Sequence, residues 1–439
     1  MTALGLSKDV IGIIGILSLL VLVVVGVRVY IAAAVVGLAG LVTMLGWSAG
    51  AGMVGTIPHS KSITYTLSIL PMFILIGYLA YYAGITAALF RAARAWFGWL
   101  PGGLAVGTVF ANAGFAAVSG ASTATAAVFS RVAIPEMLAA GYSKTMAAGT
   151  VAIGGTLAAL IPPSAILVIY GIIVEESVGQ LLVAGFLPGI ITAVVYSLII
   201  VVWASADPKA GPAIHGATWS ERFASLPGTL PVILVVVIIF SAMSYGWATP
   251  TEAGALGAFV VFVIALLRGM RTPQLKDALL ETAKLTVMIF SMIWGILIFV
   301  RFLGFTGLPA DFTTWVTSLP YPPIVIMIGI LLMYGVLGMF MDAIGMLLLT
   351  LPVVYPAVMA LGYDSIWFGI IVVKMVEICL VTPPIGLNCF VVAAVRRDIP
   401  LATVFRGIAP FVIADAITIS LFLAFPELIT WLPSLMAKG

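Results

Sequence analysis

The sequence predicts an all-α polytopic membrane protein made of two inverted-topology repeats. Three observations predict it. The 439-residue chain is 63% hydrophobic and 8% charged, with a mean hydropathy of +1.26, more apolar surface than a soluble core can bury. A proline pair occurs twice, 221 residues apart, as Ile161-Pro162-Pro163-Ser164 and Thr382-Pro383-Pro384-Ile385. The basic residues fall on one side of the implied membrane.

Taken in chain order, apolar runs long enough to cross a bilayer lie near 10–27, 29–46, 64–84, 146–174, 181–203, 229–247, 250–268, 284–304, 365–395 and 401–425. The first run, after Lys8 and before Ala32-Ala33-Ala34, has the look of a secretion signal. The 221 offset places it on 231–248, an internal span, so a retained helix is expected. The same offset lays Gly141-Tyr142 on Gly362-Tyr363, Pro135 on Pro356 and Pro101 on Pro322, and an offset of 222 lays Gly185 on Gly407 and Pro188 on Pro410. Segments 102–135 and 322–356 differ from the spans. Prolines bound them and small or polar residues occupy their middles. Their arms of about 15–17 residues reach only about 22–25 Å, so they read as re-entrant helical hairpins, with pairs of short full spans as the alternative.

With the N-terminus outside, fourteen basic residues, among them Arg28, Arg131, Lys144, Arg271 and Arg396, lie on the cytoplasmic side. Only Lys8, Lys61 and Lys438 lie outside. Each half holds five spans and a hairpin; five is odd, so the second half enters the membrane in the opposite sense. This divides the chain into a first repeat (1–203; hairpin 102–135, broken helix 146–174), a linker (204–228) and a second repeat (229–439; hairpin 322–356, broken helix 365–395). In the linker, Trp219, Phe223 and Leu226 have the spacing of an interfacial helix. Thr272–Lys284 reads as another, with Thr272 its cap and Pro273 at the first position. Thr249-Pro250-Thr251-Glu252 reads as a capping box.

Composition also excludes functions. Basic residues are scattered, which gives no case for nucleic acid. Cys379 and Cys389 sit in an apolar segment and His59 and His215 are isolated, so neither a disulfide framework nor a zinc centre is expected. No nucleophile elbow or phosphate loop is present. The informative places are the breaks. The first hairpin carries Ser119, Gly120, Ser122, Thr123 and Thr125 at its middle. The segment Gly154–Ser164 follows, where Pro162 and Pro163 lack amide donors and carbonyls near 156–160 are expected to be freed toward a cation. The second half repeats this with Gly338–Gly345, including the acid Asp342, and with Glu377–Asn388. Discontinuous helices at corresponding points of two halves build paired coupling-ion and substrate sites in secondary transporters. Lys374 and Glu377, three apart on one helix, read either as a structural ion pair or as transport residues. Arg301 either snorkels to the outer interface or binds an anion.

Phe115–Thr125, Ile134-Pro135-Glu136-Met137, Gly141-Tyr142, Gly154–Ser164, Gly338–Asp342, Leu361-Gly362-Tyr363-Asp364, Trp367-Phe368-Gly369, Glu377–Asn388, Phe425-Pro426-Glu427 and Trp431-Leu432-Pro433 resemble the large membrane (M) subunit of tripartite ATP-independent periplasmic (TRAP) transporters over essentially the whole chain. Ala121 departs from the serine many relatives carry, and Cys379 from a common glycine. The resemblance implies an elevator-type transport domain on a scaffold in the bacterial inner membrane, where the charge pattern sets both termini on the periplasmic side. It implies a sodium-coupled import of an organic acid with no enzyme activity and no cofactor beyond the coupling Na+. The partners implied are a small four-helix membrane subunit, a periplasmic substrate-binding protein and membrane lipid. By the same resemblance one sodium site involves Ser119, Gly120, Ser122, Gly155 and Thr156. A second involves Gly338, Asp342, Thr382, Pro383 and Gly386, and the substrate lies near Thr123, Thr125 and Asn388. The alternatives are a stand-alone sodium–dicarboxylate symporter, a channel, which would need a continuous polar path, and an intramembrane enzyme, for which Asp342 lacks a partner acid.

Overall fold

The computed structural model describes residues 6–214, 217–339, 341, 343–384 and 386–436. The first half holds α1 (Lys8–Val24), α2 (Val29–Leu45), α3 (Trp47–Ser62), α4 (Ile69–Tyr82), α5 (Ile85–Phe97), α6 (Gly103–Ser119), α7 (Ser122–Ala139), α8 (Lys144–Thr156), α9 (Ala165–Val174) and α10 (Val178–Ala206). The linker holds α11 (Trp219–Ser225). The second half holds α12 (Leu230–Ser244), α13 (Pro250–Leu267), α14 (Thr272–Thr306), α15 (Leu308–Ser318), α16 (Pro323–Gly338), α17 (Ala343–Ala360), α18 (Ser365–Cys379), α19 (Leu387–Val395), α20 (Leu401–Ala424) and α21 (Glu427–Met436). No strand occurs among the described residues.

A shift of 221 residues carries α7 onto α17 to the residue and the start of α8 onto the start of α18. Local chemistry explains why the shared motifs recur. Gly141 and Gly362 adopt φ of +87° and +85°. There the Gly141 and Tyr142 amides bond back to Leu138 and Met137, and those of Gly362 and Tyr363 to Met359 and Val358. Each Gly-Tyr pair is thus a helix stop that needs a left-handed residue. Two residues on, Ser143 and Asp364 cap the next helix through Met146 N and Trp367 N.

Packing follows the same exchange. Helix α2 lies against α14 while α13 lies against α4; α7 packs on α19 while α17 packs on α9; α8 packs on α20 while α18 packs on α10. Reciprocal partners of this kind are what a two-fold relation between halves produces. The exterior is apolar, with Val24, Val25 and Leu267 all at least three-quarters exposed, the surface that lipid rather than water accommodates. Among the described residues six helices are long and apolar enough to cross a membrane, or seven counting the bent pair at Trp219–Gly228 and Leu230–Ser244. The first arms of the two hairpins, α6 and α16, fall among the shorter apolar helices, whereas α17, the second arm of the second, has 18 residues and is one of the six, longer than the arms expected from the sequence.

The structure departs from the sequence reading in several places. Helices α3, α5, α15 and α21 lie outside the predicted spans and hairpins. The span near 64–84 is present as Tyr65–Tyr82, its first turn being 3-10 at Tyr65–Ser68 before α4. The separate interfacial helix at Thr272–Lys284 and the span after it are one 35-residue helix, α14. Its cap is Arg271, whose amide bonds to Gln274 Oε1 at 2.8 Å, and Thr272 is its first residue. The second hairpin arms continue past their bounding prolines, α7 through Pro135 to Ala139 and α17 through Pro356 to Ala360. A proline in the last turns removes one helical bond without stopping the helix.

The linker helix α11 forms as expected, on a Thr218–Glu221 capping box, with Trp219 and Phe223 exposed and edge-on to Trp96. Linker backbone also ties the foot of the first hairpin, Gly102 N to Gly211 O and Ser143 N to Ala210 O. On the same side of α8, Lys144 donates to the Asp398 carbonyl at 2.8 Å, and Arg396 grips the Asp398 carboxylate with two bonds. That guanidinium holds Asp398 down at about 2. A carboxyl held below its ordinary value stabilises the fold above that value and loses the contribution as pH falls toward about 2. The difference in thermal midpoint between D398N and the parent is therefore expected to stay constant from pH 5 to 8 and to shrink below pH 4; a scan in buffered detergent measures it.

Candidate cation and substrate site

Helix α8 stops at Thr156, passes through a 3-10 turn at Leu157–Ala159 and reaches the diproline, after which Ser164 caps α9 through Leu167 N. The prolines leave carbonyls without amide partners, but the chain takes some of them back. Leu157 O accepts from Leu160 N and Ile161 N, and Ala159 O accepts from the Ser164 hydroxyl. Of the carbonyls near 156–160 expected to be freed toward a cation, those of Leu157 and Ala159 are thus engaged within the chain.

The tip of the first hairpin sits directly on this break. Gly120 adopts φ +58°, and a Cβ there would collide with the Pro163 carbonyl oxygen. Gly155 faces the Ser122 carbonyl at 3.0 Å from its would-be Cβ. Ser119, Gly120, Ser122 and Gly155 are thereby gathered, with Thr156 next in the chain. Several hydroxyls are engaged locally: Thr156 donates to Ile153 O at 2.7 Å, and Thr125 donates to Ala121 O at 2.9 Å and pairs with Ser119 at 3.0 Å. Thr125 is a buried clasp of the tip, whereas Thr123 is half-buried.

The second half is arranged differently. Pro383 and Pro384 are exposed where Pro162 and Pro163 are buried. The Thr382 hydroxyl bonds to Ile378 O at 2.6 Å, Gly386 (φ +51°) opens α19, and the Asn388 amide spans the break to Leu380 O at 2.9 Å. Asp342 lies outside the described residues. Among the described residues, the side chains of Cys379 and Met346 lie where a Cβ on Gly338 would point. A Cβ at Gly338 would run into the Cys379 side chain. We expect G338A to lower the thermal midpoint by several degrees and G338A/C379G to restore it, since the second change vacates the space the first one fills.

Asn388 links the halves. Its side-chain amide donates to Ser122 Oγ at 3.0 Å and Ala152 O at 3.2 Å, and its Oδ1 is buried with no partner among the described residues. The sequence reading did not single out Tyr196 and Asp415. Lys374 Nζ lies 2.9 Å from Glu377 Oε2, 2.7 Å from Asp415 Oδ1 and 3.1 Å from the Tyr196 hydroxyl, which itself donates to Asp415 at 2.6 Å. All three charged side chains are fully buried. The network ties α10, α18 and α20 together, and α18 rests on the Leu157–Ala159 turn of the first break. The structural reading of the Lys374–Glu377 pair thus gains a second acid and a tyrosine. An acid inside an apolar span, as Asp415 is, was the available signal.

The chain matches the model of the family described as "Tripartite ATP-independent periplasmic transporter, DctM component" over residues 16–428. The chain belongs to this family. It is 36% identical over 372 residues to the C4-dicarboxylate TRAP transporter large permease protein DctM of Pseudomonas aeruginosa, covering 84% of this chain and 85% of that one. It is 30% identical over 373 residues to the sialic acid TRAP transporter large permease protein SiaM of Vibrio cholerae, covering 84% and 87%. Among solved structures, the Alcanivorax borkumensis YdaH transporter shares its fold, with a TM-score of 0.60 at 13% identity over 87% of this chain and 89% of that one. As a DctM component the protein is a multi-span transporter permease component and not an enzyme.

Proposed function

We propose that this protein is the large membrane subunit of a sodium-coupled importer of an organic acid. It would act with a small membrane subunit and a periplasmic substrate-binding protein in the inner membrane. The observation that carries the reading is the seating of the Gly120 tip on the Pro163 carbonyl. Ser119 and Ser122 flank Gly120 in the chain, and Gly155 lies against the Ser122 carbonyl with Thr156 next to it; in this reading their backbone and hydroxyl oxygens would supply a donor set suited to a hard monovalent cation. The second site would use Gly338, Asp342, Thr382, Pro383 and Gly386. Thr123 and Asn388 lie nearest the substrate in this reading, and the clasp role of Thr125 weakens its own case. Relatives named for C4-dicarboxylate, sialic acid and ectoine support small carboxylates as the substrate class. The two halves would stand inverted in the bilayer, with both termini periplasmic, and the hairpins and broken helices would move together as an elevator.

No covalent chemistry is needed. Sodium at the two sites favours a transport unit competent for the anion, and the sodium gradient drives the inward step. The test is uptake of labelled succinate and N-acetylneuraminate into liposomes holding both membrane subunits, with the binding protein outside. Uptake that requires the binding protein and an inward sodium gradient is expected. Equal uptake on replacing sodium by potassium would remove the coupling, and uptake by this chain alone would make it a stand-alone symporter.

A further inference from the structure

We infer that the cavity between the first hairpin and helices α4 and α14 is a carboxylate-binding vestibule in which Arg131 recognises the anion. The inference rests on the transport reading and adds to it a residue outside both breaks. The cavity has a volume of about 390 Å³, within the size range of small-molecule sites. Its inner end is the hairpin tip itself, Ser119 and Ala121, where Gly77 of α4 lies against the Ser119 backbone. Its walls are largely apolar. Arg131 of α7 stands about ten residues, roughly 15 Å, along the helix from the tip.

Among the described residues Arg131 has no ion-pair or hydrogen-bond partner. Its neighbours in kind differ: Arg94 is paired with Glu136 and Arg396 with Asp398. Glu281, on the opposite wall, has its charge met by Lys284 at 2.7 Å. The cavity therefore presents one uncompensated guanidinium, whose planar fork binds a carboxylate bidentately, against an apolar wall that leads to the hydroxyl-bearing tip. The cavity of about 540 Å³ lined by Lys61, Glu175 and Arg301 reaches no described residue of either tip. The positive-inside pattern sets Arg131 on the cytoplasmic side, so the vestibule is where the acid leaves.

The test places a cysteine at Ala124 or Ala127, both on the cavity wall, in a chain whose own Cys379 and Cys389 are buried. Maleimide labelling is followed in liposomes holding both membrane subunits, with succinate or N-acetylneuraminate added. One of these acids is expected to slow labelling at both positions. R131Q raises the concentration needed by at least about tenfold, as loss of a charge-assisted pair implies, and R131K recovers part of it. Absence of labelling at both positions, absence of protection by both acids, or protection unchanged in R131Q overturns the inference. Uptake is measured in parallel. Uptake without protection sinks the vestibule and leaves transport standing, whereas protection without uptake sinks the transport reading and leaves the site.

Discussion

Lys374→Met is expected to abolish recovery of folded protein, the largest effect of any single change considered. The substitution removes the cation that both Glu377 and Asp415 contact in a fully buried cluster, and leaves Asp415 with the Tyr196 hydroxyl and Glu377 without its ion-pair partner. Breaking a buried pair by removing one partner costs about 3–5 kcal/mol, and two stranded carboxylates place this case at the upper end. The origin of the loss can be separated from packing. Lys374→Met combined with Glu377→Gln and Asp415→Asn removes every charge while keeping the volumes close, and it is expected to return a monodisperse species. Size-exclusion profiles and thermal midpoints in detergent measure both. A K374M protein with the parent's midpoint would show that the cluster does not hold α10, α18 and α20 together.

Gly120→Ala is expected to stop transport while leaving a purifiable protein. Two effects add. The residue sits at φ +58°, where an L side chain costs about 1–2 kcal/mol, and the new Cβ meets a backbone carbonyl, that of Pro163, which no rotamer change can move aside. The tip must lift off the break, and the oxygens gathered there separate. A displacement of about 1 Å at a preorganised site costs about 100-fold, so uptake under the proposed sodium drive should fall to about 1% of the parent. Gly52→Ala is the control, because its Cβ would meet open space within a helix. Uptake by G120A above a tenth of the parent's would mean that the contact of tip and break is not the cation site.

Much of this architecture was legible because it is local. The doubled diproline, the recurrence of the Gly-Tyr pair and the capping box at Thr249 are each written in a few adjacent residues, and the structure adds that each Gly-Tyr pair is a helix stop. The helices that escaped notice did so for identifiable reasons. Helix α5 buries one face, with Leu89, Phe90 and Ala93, and exposes Arg91 and Arg94 on the other, so its average apolarity resembles that of a loop. Helix α14 was cut in two because its composition changes near Lys284, yet between Pro273 and Gly295 no glycine or proline interrupts the helical bonding.

The sequence by itself determined where the chain breaks and that its halves match, since these depend on missing amide donors and on motifs that recur at a fixed offset. Even the Lys374–Glu377 pair was readable, because a helix brings residues three apart together. Only the tertiary structure decided that Lys374 also meets Tyr196, 178 residues earlier, and that Asn388 reaches Ser122 across 266 residues. Helical periodicity fixes which residues share a face, but not the rotation, depth and crossing angle at which that face meets another helix.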